Sequence, residues 1–132
     1  MERWQEERRK LEQEFSERIT LDALEPHQDD AGNAAGWLIA QRKCGHRHSI
    51  DDVLTAWYAL QVSPQVSEHL DLGTGIGTVG MLILWGMSPA ARLTCVEAQQ
   101  ISYRLLQANL DCNGIRQRVD SRFGDLRELA LG

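Results

Sequence analysis

The stretch His69-Leu70-Asp71-Leu72-Gly73-Thr74-Gly75-Ile76-Gly77-Thr78-Val79-Gly80 decides how this chain folds. The run from Ser67 to Leu72 reads as a strand that ends in a cluster of glycines, and the apolar segment from about Thr78 to Trp85 reads as a helix. Glycine at the end of a strand lets the backbone turn sharply and lets a ligand come close where a Cβ would collide. The helix that follows presents free N–H groups at its N-terminus, a natural place for negative or polar ligand atoms. In a doubly wound sheet such a loop lies at the carboxyl end of its strand, where ligands bind.

Downstream of this stretch the alternation continues. Arg92-Leu93-Thr94-Cys95-Val96 predicts a second strand, and Gln99 to Cys112 a helix with Ile101, Leu105, Leu106 and Leu110 inward. Asn113-Gly114 closes that helix as a C-cap. Arg118 to Phe123 is a third strand, short and polar, followed by Gly124-Asp125-Leu126. Strand, helix, strand, helix, strand predicts two crossover units, hence an α/β fold with a parallel sheet and helices on its faces.

Upstream, Ser49-Ile50-Asp51-Asp52 opens a helix with the signature of a capping box, a serine followed three residues later by an acid. Ile50, Val53, Leu54, Trp57 and Leu60 follow at helical spacing until Ser63-Pro64 stops it. Trp57 therefore reads as a core residue, and Tyr58 as a helix-packing one, not as base-stacking residues. Residues 25–36 are rich in turn formers and read as a loop, and Trp37-Leu38-Ile39-Ala40 as a short strand. Residues 1–25 hold no Pro or Gly; Glu6/Lys10 and Glu14/Arg18 stand four apart, and Trp4, Leu11, Phe15 and Ile19 make a thin apolar stripe. That segment reads as an exposed helix leaning by one edge, with a mobile tail as the alternative. The organisation expected is a charged N-terminal helix at 1–25, a cap segment at 26–66, and the first half of a ligand-binding core at 67–132.

The 132 residues carry 19 Asp+Glu against 14 Lys+Arg, a formal charge of −5, with 42% hydrophobic and 25% charged residues. This is the composition of one globular domain. The acidic balance argues against strong nonspecific nucleic-acid binding and leaves room for a local basic patch. Val79 to Trp85, the densest apolar run, is far shorter than the ~20 residues that cross a bilayer. The first residues have no apolar stretch of a secretory leader. Cys44, Cys95 and Cys112 are odd in number, far apart and without CxxC spacing, which predicts free thiols, a reducing compartment and a cytoplasmic location. His46 and His48 with Cys44 lack a further ligand at a recognised spacing, so no metal is expected.

Two patterns compete for the glycine loop. Gly75-Ile76-Gly77-Thr78-Val79-Gly80 fits G-x-G-x-x-G, the dinucleotide fingerprint, and points to a nicotinamide or flavin enzyme. Asp71 followed by Gly73-Thr74-Gly75-Ile76-Gly77 fits D-x-G-x-G-x-G. A carboxylate at Asp71 suits a ligand with a positive amino group and favours the second reading; a purely structural glycine turn is the third. Glu97, at the tip of the second strand, can accept both hydroxyls of a ribose, as acids about 20 positions after such loops do, or can be an ordinary exposed strand-end residue. Asp125 can accept from the exocyclic amine of an adenine, or can cap a helix over Leu126–Leu131.

With these three motifs in order, residues 67–130 resemble the first half of a class I S-adenosylmethionine-dependent methyltransferase, a Rossmann-like core here truncated after its third parallel strand. The resemblance implies S-adenosylmethionine as cofactor, held by Asp71, Gly73, Thr74, Gly75, Gly77, Glu97 and Asp125. The segment from Thr20-Leu21-Asp22 through Gln41 and Gly45-His46-Arg47-His48-Ser49-Ile50-Asp51 to Leu54 is similar to the bacterial tRNA adenine methyltransferase group, the small methyltransferase domain family, with His46 where that group has an aromatic. This implies an adenine amine in RNA as acceptor; a protein acceptor and a non-catalytic binding fragment are the alternatives. The family's Asn/Asp-Pro-Pro-aromatic motif has no counterpart among Pro26, Pro64 and Pro89. No catalytic residue is therefore assigned, and the expectation is a truncated product, an isoform or a piece of a longer gene, inactive and poorly soluble by itself.

Among the remaining residues, Arg42, Lys43, His46, Arg47 and His48 could contact RNA phosphates or form a solvated hairpin tip. Asp51 stands either near the cofactor or as a first-turn helix acid. Cys95 reads as a buried small hydrophobe, and His69 is out of place for a buried strand position.

Overall fold

The computed structural model describes residues 1–24, 27–28, 31 and 34–128, with backbone only for 27–28 and 34–35. Helix α1 (Glu2–Phe15) seats Trp4 and Leu11, two turns apart, in the core and leaves its charged face to solvent. Its Glu6–Lys10 pair forms at 3.3 Å. The helix is shorter than the 25 residues expected of it. Ser16 turns into the left-handed region (φ 52°), and the chain re-enters as strand β1 (Ile19–Ala23). Glu14 and Arg18 consequently do not share a helix face; Glu14 and Glu7 both reach Arg104, at 3.0 and 2.8 Å.

Two-residue strands β2 (His27–Gln28) and β3 (Ala34–Ala35) pair within the stretch read as a loop; residues 25–26, 29–30 and 32–33 of that stretch lie outside the described residues. Strand β4 (Leu38–Arg42) pairs antiparallel with β1, Ile19 opposite Arg42 and Ala23 opposite Leu38. Helix α2 (Ile50–Val62) follows with its capping box formed, Asp52 accepting the Ser49 N–H at 3.3 Å. The main sheet is parallel, in the order β5 (Glu68–Leu72), β6 (Arg92–Glu97) and β7 (Val119–Phe123). Helix α3 (Thr78–Gly86) connects the first two strands. Helix α4 (Gln100–Cys112) and a 3-10 turn (Arg116–Arg118) connect the last two.

The N-terminal hairpin is fastened to α4 by two asparagines. The Ala40 N–H donates to Asn109 Oδ1 at 2.7 Å, and Asn109 Nδ2 donates to the carbonyls of Ala40 (3.3 Å) and Ile76 (3.0 Å). One turn on, Asn113 Oδ1 accepts from the Leu38 N–H at 3.0 Å and its Nδ2 donates to the Leu38 carbonyl at 2.7 Å. Four helical residues rise ~6 Å and two strand residues ~6.6 Å, so the two side chains reach alternate residues of β4 as a neighbouring strand would.

Two apolar clusters lie around these elements. Met81, Leu84, Leu93, Leu106 and Leu110 belong to the larger, beneath α3 and α4. Trp4, Leu11, Ile19, Ala40, Leu105 and Ala108 form the smaller, where α1 and the hairpin meet α4. Two inward assignments fail. On α4, Ile101 is exposed while Asn109 is fully buried. On α2, Trp57 is 58% and Leu54 55% exposed, with Ile50 and Tyr58 also open, and only Ala56 is buried. The physical reason is that α2 packs on α3 along one edge, through Val53, Ala56, Ala59 and Leu60, so the broad apolar face is left largely exposed. Strand β5 stands at the sheet edge with Leu70 and Leu72 exposed, and His69 therefore does not sit in a buried interior.

Among the described residues no helix is long and apolar enough to cross a membrane.

Candidate functional site

The loop after β5 is shaped by positive φ angles at Gly73 (67°), Gly75 (61°) and Gly77 (97°), which L side chains rarely adopt. A Cβ at Gly73 or Gly75 would meet nothing within 4 Å, so both face open space. Gly77 differs: a Cβ there would lie 2.6 Å from Leu106 Cδ1, so the loop is pressed against α4. Its own bonds are few. The Thr74 N–H reaches the Val96 carbonyl at 3.0 Å, the Gly77 N–H reaches the Thr74 carbonyl at 3.0 Å, and the buried Asn109 holds Ile76 from behind.

Two carboxylates close on this loop. Asp71 Oδ2 accepts from Thr74 Oγ1 at 2.7 Å. A Cβ at Gly80 would sit 2.9 Å from that same oxygen, so the glycine of α3 gives Asp71 its place. Glu97, at the end of β6 and buried, accepts from the Gly75 N–H through Oε1 and from the Gln99 N–H through Oε2, both at 2.8 Å. It is not the ordinary exposed strand-end acid. Each oxygen retains capacity for a further donor.

Asp71, Gly73, Thr74, Gly75 and Glu97 share one cavity of about 400 Å³. Its opposite wall comes from the loop before α2 and from α2 itself, where His46, Arg47, His48 and Asp52 line it. Asp52 Oδ2 lies 3.1 Å from His48 Nδ1 and accepts from Thr78 Oγ1 at 3.2 Å, which ties that wall to the start of α3. Asp51, one residue earlier, is exposed and does not line the cavity; it is the first-turn acid.

Two expected positions lie apart from this cavity. Gly77 serves the loop from beneath, and Asp125 lies beyond β7, where its carboxylate accepts from Arg127 Nε at 3.0 Å and from the Arg127 N–H at 2.9 Å. The Arg127 side chain and backbone N–H hold the Asp125 carboxyl below the usual range. Residues 126–128 form a turn, and the rest of the 126–131 helix lies outside the described residues.

The cationic cluster at 41–48 is not a uniform solvated tip. Arg42 is paired with Glu17 at 2.8 Å, while Lys43, Cys44 and His46 are exposed. Arg47 reaches back to β1 and β4, donating to Asp22, Thr20 and the Arg42 carbonyl. Burial raises the Asp22 carboxyl, but hydrogen bonds from Gln41 and Thr20 and the Arg47 charge outweigh it and leave its pKa lowered. Cys95 is fully buried, and burial pushes its thiol up to about 12, against nucleophilic use. Among the described residues no group of three or more His, Cys, Asp or Glu could hold a metal ion.

No protein-family model and no curated protein sequence matches the chain. Solved structures do. The N-terminal domain of EvdMO1 with S-adenosylhomocysteine (SAH) bound aligns at TM-score 0.61 and 18% identity over 96% of this chain and 48% of its own. The O-methyltransferase from Bacillus cereus in complex with SAH aligns at 0.54 and 20%, over 64% of this chain and 38% of its own. TomG from Streptomyces achromogenes, an O-methyltransferase in complex with S-adenosylmethionine, aligns at 0.53 and 18%, over 63% and 36%. The chain has the N-terminal part of a methyltransferase fold. It spans less than half the length of each of these structures. Within that fold the α/β reading and the three-stranded parallel sheet with an N-terminal helix hold.

Sequence reasoning overlooked Asp52, Thr78 and Arg47 as cavity residues. The capping-box spacing marked Asp52, since the acid that closes the box is the one that faces the loop. Arg47 was marked by its charge and by its place in the Gly45–Asp51 run, and was read there as a candidate RNA-phosphate contact.

Proposed function

We propose that this chain is the donor-binding half of an S-adenosylmethionine-dependent methyltransferase. The observation that carries the reading is the convergence of an open glycine loop, Asp71 and Glu97 on one cavity. The residues fit such a ligand: Asp71 is an acceptor for its ammonium, the two Glu97 oxygens are acceptors for the ribose hydroxyls, and Gly73 and Gly75 leave room for its bulk. When bound, the ligand supplies a methyl group activated by a sulfonium. The protein's contribution to such an in-line displacement is alignment. Pyrophosphate of a nicotinamide cofactor held at the glycine loop would meet the Asp71 carboxylate, which disfavours the dinucleotide reading.

The acceptor in this reading is an adenine amine in RNA, supported by the Gly45–Leu54 segment; a hydroxyl acceptor is the second reading, supported by the O-methyltransferase names of the similar structures. Titration calorimetry of the 132-residue chain tests the core of the proposal. SAH binding that is lost in Gly75→Val and Glu97→Ala, with no heat from NAD, is the expected result; NAD binding in place of SAH would refute it. The isolated chain is expected to bind donor without transferring methyl to tRNA. Labelled N6-methyladenosine or 2′-O-methylated nucleoside from a longer form that does transfer separates the two acceptors.

A further inference from the structure

A second cavity, of about 680 Å³, opens between α1 and the β1–β4 hairpin, and Arg8, Arg18 and Lys43 line it. None of these three side chains has a hydrogen bond or an ion pair among the described residues. In a chain with 19 Asp+Glu against 14 Lys+Arg, acids are plentiful, and Arg42, Arg47, Arg104 and Arg116 each take one. Three unclaimed cations around one cavity stand out against that pattern.

The backbone forces them together. The Lys43 N–H donates to the Arg18 carbonyl at 2.9 Å, one step beyond the last β1–β4 pair, Ile19 with Arg42. Like charges directly opposite each other on paired strands are destabilising, and no acid relieves this pair. Arg8 comes from α1 and is half-buried; its Nε is closed to water and has no hydrogen-bond partner among the described residues. A desolvated charge without a partner is costly. The two acids of the cavity do not help, because both are already engaged. Glu12 accepts from the Ile19 N–H at 3.0 Å, and Glu17 from Arg42 at 2.8 Å.

An anion with several separated charges fits this arrangement better than a single ion, since the cations come from α1, the residue before β1 and the residue after β4. A lipid surface fits poorly. The lining offers Ile19, which is buried, and Leu21, which is half-buried, as its apolar side chains, so nothing large inserts into a bilayer. A phosphodiester backbone needs no such insertion and is held by separate cations. The place is also apt. Thr20 lines this cavity, and its Oγ1 accepts at 3.2 Å from Arg47, which lines the donor cavity, so the two cavities meet across one threonine.

We propose that Arg8, Arg18 and Lys43 form a binding site for the phosphate backbone of single-stranded RNA, beside the donor cavity and separate from it. The site rests on the RNA-acceptor reading above and deepens it. Fluorescence anisotropy of a labelled single-stranded RNA oligonucleotide against the 132-residue chain, over a range of salt concentrations, tests it. Each phosphate contact contributes about 0.7 to the slope of log K against log[salt], which is roughly eightfold in affinity at 50 mM salt. Arg18→Gln and Lys43→Gln should each show that loss, and the triple variant with Arg8→Gln should flatten the slope by about 2. Arg18→Lys should keep the wild-type slope. Arg9→Gln, which removes an exposed α1 cation that does not line the cavity, should stay within about twofold. SAH calorimetry and thermal melting on the same variants should match wild type, which shows that the loss is not unfolding. Unchanged RNA affinity in the triple variant, or an equal loss in Arg9→Gln, would overturn the site. So would displacement of the RNA by inorganic phosphate at constant ionic strength, which marks a small-anion site, or binding to phosphatidylserine vesicles in place of RNA. A wild-type chain that does not bind the RNA would overturn it too, while the acceptor reading is decided separately by the methylated nucleoside that the longer form makes.

Discussion

Replacing Asn109 with alanine removes three hydrogen bonds at once: from the Ala40 N–H, to the Ala40 carbonyl and to the Ile76 carbonyl. Asn109 and Ala40 are both 0% exposed, so water does not reach the orphaned groups without opening the α4–β4 contact. Each buried group left unsatisfied costs about 1–3 kcal/mol. Counting the two Ala40 groups in full gives roughly 4 kcal/mol, and the better helix propensity of alanine returns about 0.6 kcal/mol. The expected loss is therefore about 3 kcal/mol, or near 10 °C in Tm for a domain of this size. Urea denaturation followed by circular dichroism measures it. Asn113→Ala, whose Leu38 partners are half-buried, is the control and should lose about 1 kcal/mol. A loss below 1 kcal/mol for Asn109→Ala, or one no larger than the control's, would show that the hairpin is not held to α4 in this way.

Gly80→Ala should change stability by less than about 1 kcal/mol, because the added helix propensity offsets crowding against the flexible end of Leu93, yet it should weaken SAH binding about tenfold by displacing Asp71 Oδ2, 2.9 Å from the new methyl; calorimetry and thermal melting separate the two effects. Cys95 titrates higher in the folded chain, at about 12 against an ordinary 9.0, so the stability it contributes is complete below pH 9 and is lost as pH rises toward 12; Cys95→Ala should flatten that part of the stability–pH curve, and at pH 8 a thiol reagent should label the exposed Cys44 far ahead of Cys95. Lys43→Glu should weaken tRNA binding in a filter assay more at 50 than at 200 mM salt if the exposed part of the 42–47 cluster contacts phosphates, and no change would remove RNA contact from this loop.

The parallel sheet was legible because its signals are local. Glycines closing one strand, an acid closing the next and Asn113-Gly114 ending the helix between the later two each reflect a turn that its own residues make. What was not legible depends on partners far off in the chain. Helical spacing groups Ile50, Leu54 and Trp57 on one face of α2, but it does not say whether anything lies opposite that face. The β1 strand was hidden in a charged segment because its pairing residues stand 15 to 23 positions downstream. Asn109 carries no local signal for burial, since its partners stand on β4 and the glycine loop. Arg47 was visible as a charge within the Gly45–Asp51 run, but its bonds to Thr20, Asp22 and the Arg42 carbonyl depend on the hairpin of β1 and β4.

Gly80 shows how two glycine signatures come to overlap in one chain. The final glycine of the dinucleotide pattern is the residue whose missing methyl makes room for the carboxylate that begins the rival pattern, at a separation of 2.9 Å. The signatures are thus alternative spellings of a single steric bargain between a helix and the strand ahead of it, and a scan keyed to glycine intervals alone would file this protein among phosphate binders. The discriminating letter is the aspartate, whose negative charge would repel a phosphate.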